Sequence, residues 1–194
     1  MNTEIMNELK KNHYITTKRV IELGYSKTLL VKYVKENKLE RIRQGVYILK
    51  DDLHDDMYTL MMRSKNIIFS HETSLFLNGL SERTPYIQSL TIPSDSCLPQ
   101  SIADECKCFY VKKKFHSLGR TEIKNTFGNW VRCYDIERTI CDIVKDRKRI
   151  DDELVISALK NYSRLNEKNL DKLSEYSSIL GIEEKIREYM EILL

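Results

Sequence analysis

The first fifty residues compress three helical patterns and a hairpin into one short segment, and that economy leaves few folds open. Thr3 is placed to cap a helix reaching about Lys11, with Ile5, Met6 and Leu9 inward. Thr16 can cap a second helix, Thr17 to Leu23, with Val20, Ile21 and Leu23 as its apolar positions. Gly24 follows where a helix end favours a left-handed residue, and Ser26 can cap a third helix after a short turn. Leu39 to Arg43 and Val46 to Leu49 alternate as two strands joined at Gln44-Gly45. Helix, tight turn, helix and a hairpin together predict a winged helix-turn-helix.

The third helix divides cleanly. At about 100° per residue, Leu29, Leu30, Tyr33 and Val34 gather on one side. Thr28, Val31, Lys32 and Lys35 gather on the other, with Lys27 near its edge. Short polar and cationic groups on the face opposite the core are what a major groove accepts. Lys27 and Thr28 also lie in the first turn, where free N–H groups favour phosphate. On the hairpin, alternation is expected to place Arg41 and Arg43 on one face, with Ile42 toward the core. The expected DNA contacts are Lys18, Arg19, Ser26, Lys27, Thr28, Lys32, Lys35, Arg41, Arg43 and Gln44.

Charge supports the same division. Residues 1–50 hold 11 Lys and Arg against 5 Asp and Glu, a net of +6 in a chain whose total is +3. Basic charge is thus segregated onto the small module, as a part that approaches phosphates requires. Residues 51–106 reverse the sign, with 3 basic against 9 acidic, beginning at Asp51, Asp52, Asp55 and Asp56. A domain boundary is therefore expected near residue 51, bridged by a helix from Asp55 to Ser64.

Beyond the boundary the signals mix. Ile67-Ile68-Phe69 precedes Ser70, which is placed to cap a helix with His71 and Glu72 in its first turn. Tyr86 to Pro93 and Lys107 to Val111 are predicted strands, and Glu122 to Thr126 and Trp130 to Tyr134 a hairpin around Phe127-Gly128-Asn129. Asp135 can cap a helix bearing Ile136, Ile140, Ile143 and Val144, and residues 152–194 read as helices broken near Leu165-Asn166 and at Gly181. The expected fold class is α+β: a winged helix-turn-helix over residues 1–50, then a larger mixed α/β domain over 51–194, helical from about residue 151.

The pieces Arg43–Leu49 (RQGVYIL), Ile68–Pro85 (IFSHETSLFLNGLSERTP), Leu90–Pro93 (LTIP) and Val131–Val144 (VRCYDIERTICDIV) occur in this order. With them the chain resembles the AbiEi family, antitoxins of type IV abortive-infection toxin–antitoxin systems, over about three-quarters of its length. The resemblance implies a DNA-binding N-terminal domain that recognises inverted repeats at the promoter of its own operon and represses it. It also implies a C-terminal domain that counteracts a nucleotidyltransferase-like toxin, in phage defence or plasmid maintenance. A regulator whose second domain senses a ligand is the alternative.

Several constellations invite catalytic readings. Ser70, His71 and Glu72 are consecutive at a helix start and are expected to point apart, which would prevent a relay. Ser70 as a cap and Glu72 on the helix dipole is the plainer reading. Arg138 and Asp142 are four apart on a helix, which by default makes a surface or half-buried ion pair; the resemblance implies that Glu137 and Arg138 organise the core or the toxin-neutralising surface. Residues 107–149 carry 12 basic against 5 acidic residues, with Lys112, Lys113, Lys114 and Arg147, Lys148, Arg149 standing out as an auxiliary basic surface or as solvated cations.

His13, His54, His71 and His116 share no ligand spacing, and Cys97, Cys106, Cys108, Cys133 and Cys141 form no C-x-x-C pair. No glycine-rich phosphate loop is present. The expectation is a non-enzymatic, cytoplasmic protein without metal, cofactor or membrane span. It is expected to be monomeric in solution and to pair on DNA.

Overall fold

The structure, a computed structural model, describes residues 1–50 and 55–193. It divides into two compact units, Met1–Arg63 and the chain from Ser64 onward.

In the first unit, α1 (Thr3–Asn12), β1 (Ile15–Thr16), α2 (Thr17–Glu22) and α3 (Lys27–Lys35) precede β2 (Leu39–Arg43), β3 (Val46–Leu49) and α4 (Asp56–Arg63). Thr16 Oγ1 accepts from the Arg19 amide at 3.1 Å and Ser26 Oγ from the Thr28 amide at 3.3 Å, so both caps fall where the sequence places them. The cap of α1 is Asn2, whose Oδ1 accepts from the Glu4 amide at 2.9 Å; Thr3 is already helical. Gly24, at φ +85°, supplies the left-handed turn between α2 and α3. Ile5, Leu9, Ile15, Val20, Leu30 and Leu39 are each no more than 1% exposed, and burying each such side chain is worth about 1.5–3 kcal/mol.

The strands form a sheet in the order β1-β3-β2, all antiparallel. β1 carries no sequence signal, because two residues are too few to show a period. β2 carries a bulge: Arg41 pairs with Tyr47, and Arg43 with Val46. Tyr47 and Val46 are neighbours on β3 and face opposite sides of the sheet, so the two arginines do not share a face as strict alternation requires. α4 packs on β2 within this unit, so the compact division falls between Arg63 and Ser64 rather than near residue 51. Asp51, Asp52 and His54 lie outside the described residues.

The second unit contains β4 (Ile68–Phe69), α5 (His71–Leu77), β5 (Ser89–Pro93), α6 (Gln100–Glu105), β6 (Lys107–Val111), α7 (Lys113–His116), β7 (Arg120–Lys124) and β8 (Trp130–Tyr134). α8 (Ile136–Lys145), a 3-10 turn (Arg147–Arg149), α9 (Asp152–Arg164), α10 (Leu170–Leu180) and α11 (Glu183–Leu193) complete it. The strands form a mixed sheet in the order β6-β5-β4-β8-β7, with β5–β6 and β4–β8 parallel. Every residue of α8 from Glu137 to Val144 is buried, because α5, α9 and α10 all pack against it. Val155, Leu159, Tyr162, Leu173 and Ile186 of the last three helices join Ile140 and Ile143 in one core. The C-terminal helices therefore each lend one face to this unit's core.

Two strand boundaries move. β5 starts at Ser89, leaving Tyr86 and Ile87 exposed in a loop, and β7 starts at Arg120 and ends before Asn125. Asn125 Oδ1 accepts from the Phe127 and Asn129 amides at 3.1 and 3.0 Å, folding the hairpin turn onto its own side chain.

Candidate nucleic-acid interface

α3 presents the division its sequence implies. Leu30 and Tyr33 are buried and Leu29 and Val34 half-buried, whereas Lys27, Thr28, Val31, Lys32 and Lys35 are exposed. Lys27 and Lys35 have no ion-pair partner among the described residues, and Lys32 lies 3.8 Å from Glu36 with both in contact with water. Such a pair is weak and yields readily to a phosphate. Ser26 Oγ is 2.8 Å from Thr28 Oγ1, so these hydroxyls already bond to each other at the helix start.

The wing is joined to the helix-turn-helix through the β1–β3 pairing, a shared core and a bond at its tip. The Thr17 amide donates to the Gly45 carbonyl at 2.9 Å, joining the hairpin turn to the first turn of α2. Arg41, Arg43 and Gln44 are exposed around it. Arg41 Nε donates to the Arg43 carbonyl at 3.3 Å, so this guanidinium also braces the bulge.

Lys18 and Arg19 differ from each other. Lys18 is solvated, 3.9 Å from Glu22, while Arg19 reaches Glu8 of α1 at 2.6 Å and Glu22 at 3.4 Å. The Arg19 hydrogen bond holds the Glu8 carboxyl below its usual pKa, and Glu8 raises that of Arg19 in turn. Arg19 is committed to holding α2 against α1.

Of the residues singled out in the second unit, Ser70, His71, Glu137, Arg138 and Asp142 are buried. The Ser70 hydroxyl does not cap α5; it lies 2.9 Å from His71 Nδ1, while His71 Nε2 lies 3.2 Å from Asp146 Oδ2. Consecutive residues do meet here, contrary to the expectation, because His71 adopts φ +47° and turns its ring back over Ser70. Yet Ser70 and His71 are 0% and 1% exposed, and the ring stacks on Phe109 at 3.4 Å. A serine, a histidine and a carboxylate are thus aligned where no substrate can reach the serine, and the chain of contacts ties β4–α5 to the end of α8.

Glu72 accepts from Ser89 Oγ at 2.7 Å and Lys107 Nζ at 2.5 Å. Burial works to raise its pKa, but these two donors outweigh it and hold the carboxyl below its usual range.

Arg138 and Asp142 form a fully buried pair at 2.9 Å rather than a surface or half-buried one. Arg138 Nη1 also donates to the Phe115 and Leu118 carbonyls at 2.8 Å, and the guanidinium lies 4.3 Å over the Tyr134 ring. Glu137 Oε1 accepts from the Asn169 amide at 3.1 Å, joining α8 to the start of α10.

The second basic excess does not form one patch. Lys112, Lys113 and Lys114 follow the far end of β6, whereas Arg149 donates to the Cys108 carbonyl near its start; the strand separates them by roughly 15 Å. Lys113 lies 3.5 Å from Asp95, and Lys114 lies over the Phe115 ring. Arg147 bonds Asp152 at 2.7 Å and the Tyr189 hydroxyl, leaving Lys148 solvated. Lys145 and Lys185 join Arg147, Lys148 and Arg149 around an open cleft of about 800 Å³. Lys185 is far off in sequence, and nothing local connects it to the cluster.

Among the described residues, no group of three or more His, Cys, Asp or Glu side chains is arranged to hold a metal ion. No described helix is long and apolar enough to cross a membrane.

Residues 2–85 match the family model described as "Transcriptional regulator, AbiEi antitoxin N-terminal domain". The crystal structure of the RV2827C protein from Mycobacterium tuberculosis has a similar fold: TM-score 0.65 at 11% identity, over 90% of this chain and 69% of that one. No curated protein matches the sequence.

Proposed function

We propose that this chain, an AbiEi-family antitoxin by its N-terminal transcriptional-regulator domain, binds the promoter of its own operon and counteracts a nucleotidyltransferase-like toxin. The carrying observation is the exposed face of α3, where Lys27, Thr28, Lys32 and Lys35 stand beside a wing anchored through Thr17 and Gly45. In this reading α3 enters the major groove of double-stranded DNA. Lys18, Arg43 and Gln44 then flank it on the backbone, and two monomers occupy the halves of an inverted repeat.

The toxin-directed activity belongs to the second unit and requires no catalysis from it. Ser70, His71, Glu72, Glu137, Arg138 and Asp142 support that unit from inside, and an exposed part of its surface does the neutralising. The system then serves phage defence, in the cytoplasm.

An electrophoretic shift with the DNA upstream of the gene, repeated across a salt series, tests the first half. A steep salt slope with preference over scrambled DNA supports it. Equal affinity for both DNAs would overturn it. Co-expression with the adjacent toxin gene tests the second half, and unrelieved growth arrest would leave the regulator-only reading standing.

A further inference from the structure

β7 is an edge strand, with β8 on one side and no strand on the other among the described residues. Its backbone phase is fixed at both ends. Asn125 N donates to Asn129 O at 3.0 Å and Asp135 N to Gly119 O at 2.8 Å, so the odd-numbered residues of this strand turn their peptide groups toward β8. Glu122 and Lys124 turn theirs outward, and both side chains are exposed. Register places Lys124 beside Trp130, and Glu122 beside Arg132, on one face of the sheet. Trp130 is 56% exposed on that face, with Lys124 Nζ 5.3 Å from its ring centroid.

We propose that β7 is where two copies of this chain join, antiparallel, about a two-fold axis through Ile123. That register sets Glu122 against the second copy's Lys124, and Lys124 against the second copy's Glu122, using the outward peptide groups of both. Across the join one face then reads Trp130, Lys124, the second copy's Glu122 and its Arg132, with charges alternating in sign. The two Ile123 side chains meet on the other face.

Neighbouring registers fail on the same residues. An axis through Glu122 opposes two carboxylates and sets Arg120 against Lys124. An axis through Thr121 needs the Arg120 amide, which already donates to the Ser117 carbonyl at 3.2 Å. Edge strands are commonly guarded by charge against such pairing. Here the charges alternate, so reversing the strand complements them instead of repelling.

Five residues of edge make a small, weak contact. Such a contact acts mainly when something else holds two copies close, and adjacent half-sites of an inverted repeat would do so. That role rests on the DNA-binding reading, but the contact itself does not.

Sedimentation equilibrium of the full chain without DNA, up to ~1 mM protein, separates the two questions. The wild type should show a monomer–dimer equilibrium that weakens with added salt. Glu122→Lys and Lys124→Glu should each weaken it about tenfold, because each turns two attractions into repulsions. The double variant Glu122→Lys/Lys124→Glu should recover the wild-type constant. Circular dichroism checks the folding of each variant, and Glu122→Gln and Lys124→Gln replace any that unfolds, with a smaller weakening expected. A wild type monomeric throughout, single variants that dimerise unchanged, or a double variant that fails to recover would each overturn the proposal. Failure of DNA binding would appear only in the shift assay.

Discussion

The Thr17 amide and the Gly45 carbonyl meet at 2.9 Å, and this bond holds the tip of the wing against the first turn of α2, beyond the β1–β3 pairing. Gly45 is held at φ +76°, and a Cβ built on it would stand 3.4 Å from Thr17 Oγ1. The wing's glycine is therefore needed for its backbone angle and, to a lesser degree, for the room it leaves beside α2.

Gly45→Ala should lower the stability of the first unit by about 1–2 kcal/mol, because an L-residue is strained in the left-handed region. It should weaken promoter binding as well, since the wing must shift relative to α3. Urea unfolding and a shift assay on the same variant test both. Normal stability with normal affinity would mean that the turn relaxes freely and the Thr17 anchor is dispensable.

Among the basic residues of the first unit, the ion pairs separate cations free to meet phosphate from those already engaged. Lys32→Ala and Arg43→Ala should each lower the slope of log affinity against log salt by about 1. Arg19→Ala should leave the slope nearly unchanged, because that guanidinium already bonds Glu8 and Glu22. Equal slope changes for Arg19 and Lys32 would show that DNA draws Arg19 away from α1.

The second unit depends on Arg138, whose guanidinium holds Asp142 and the carbonyls of Phe115 and Leu118 in a buried place. Arg138→Ala strands the Asp142 carboxylate and should cost about 3–5 kcal/mol. Gly119→Ala should be similarly damaging, because its Cβ would fall 2.5 Å from Arg138 Cβ at φ +72°. Unfolding midpoints of the two single variants check both losses, and a wild-type midpoint in either would mean that its surroundings relax around the change.

Acid should loosen the same unit. Glu72 and Asp146 both have pKa values held below their ordinary 4.5 and 3.8. For Asp146, burial opposes the shift, and the hydrogen bond with His71 together with the nearby Lys145 and Arg149 outweighs it. A depressed carboxyl contributes stability that is full above its unfolded pKa and is lost as pH falls through its folded one. Stability should therefore hold from neutrality to about pH 5 and decline below that. Glu72→Gln should flatten part of the decline, as urea midpoints from pH 7 to pH 3 would show.

The sequence made the first unit legible because caps, turns and periods there are local signals. Thr16, Ser26, Gly24 and the two strands of the wing all occupy their expected places. The bulge at Arg41–Arg43 was hidden, since alternation shows a strand but not an extra residue in it. In the second unit, the burial of Arg138 and the meeting of His71 with Asp146 depend on contacts 20 to 75 residues apart. No periodicity within a helix or strand reports such distances. The φ of His71 was equally invisible, because a histidine opening a helix carries no mark of a left-handed backbone.

The place where the chain can be divided gives the last prediction. α4 packs on β2, Leu60 is buried, and the rings of Tyr14 and Tyr58 lie 5.9 Å apart. Tyr58 is half-buried there, and burial pushes its hydroxyl up to about 12. A chain ending at Lys50 loses all of this, whereas one ending at Arg63 keeps it. The longer fragment should unfold at a higher urea midpoint and bind promoter DNA with the affinity of the whole chain, apart from any pairing through β7. The complementary chain from Ser64 should still relieve toxin-induced growth arrest without repressing the promoter. If protection disappears with residues 1–63, the two activities are not divided between the two units, and the neutralising surface must include part of the DNA-binding one.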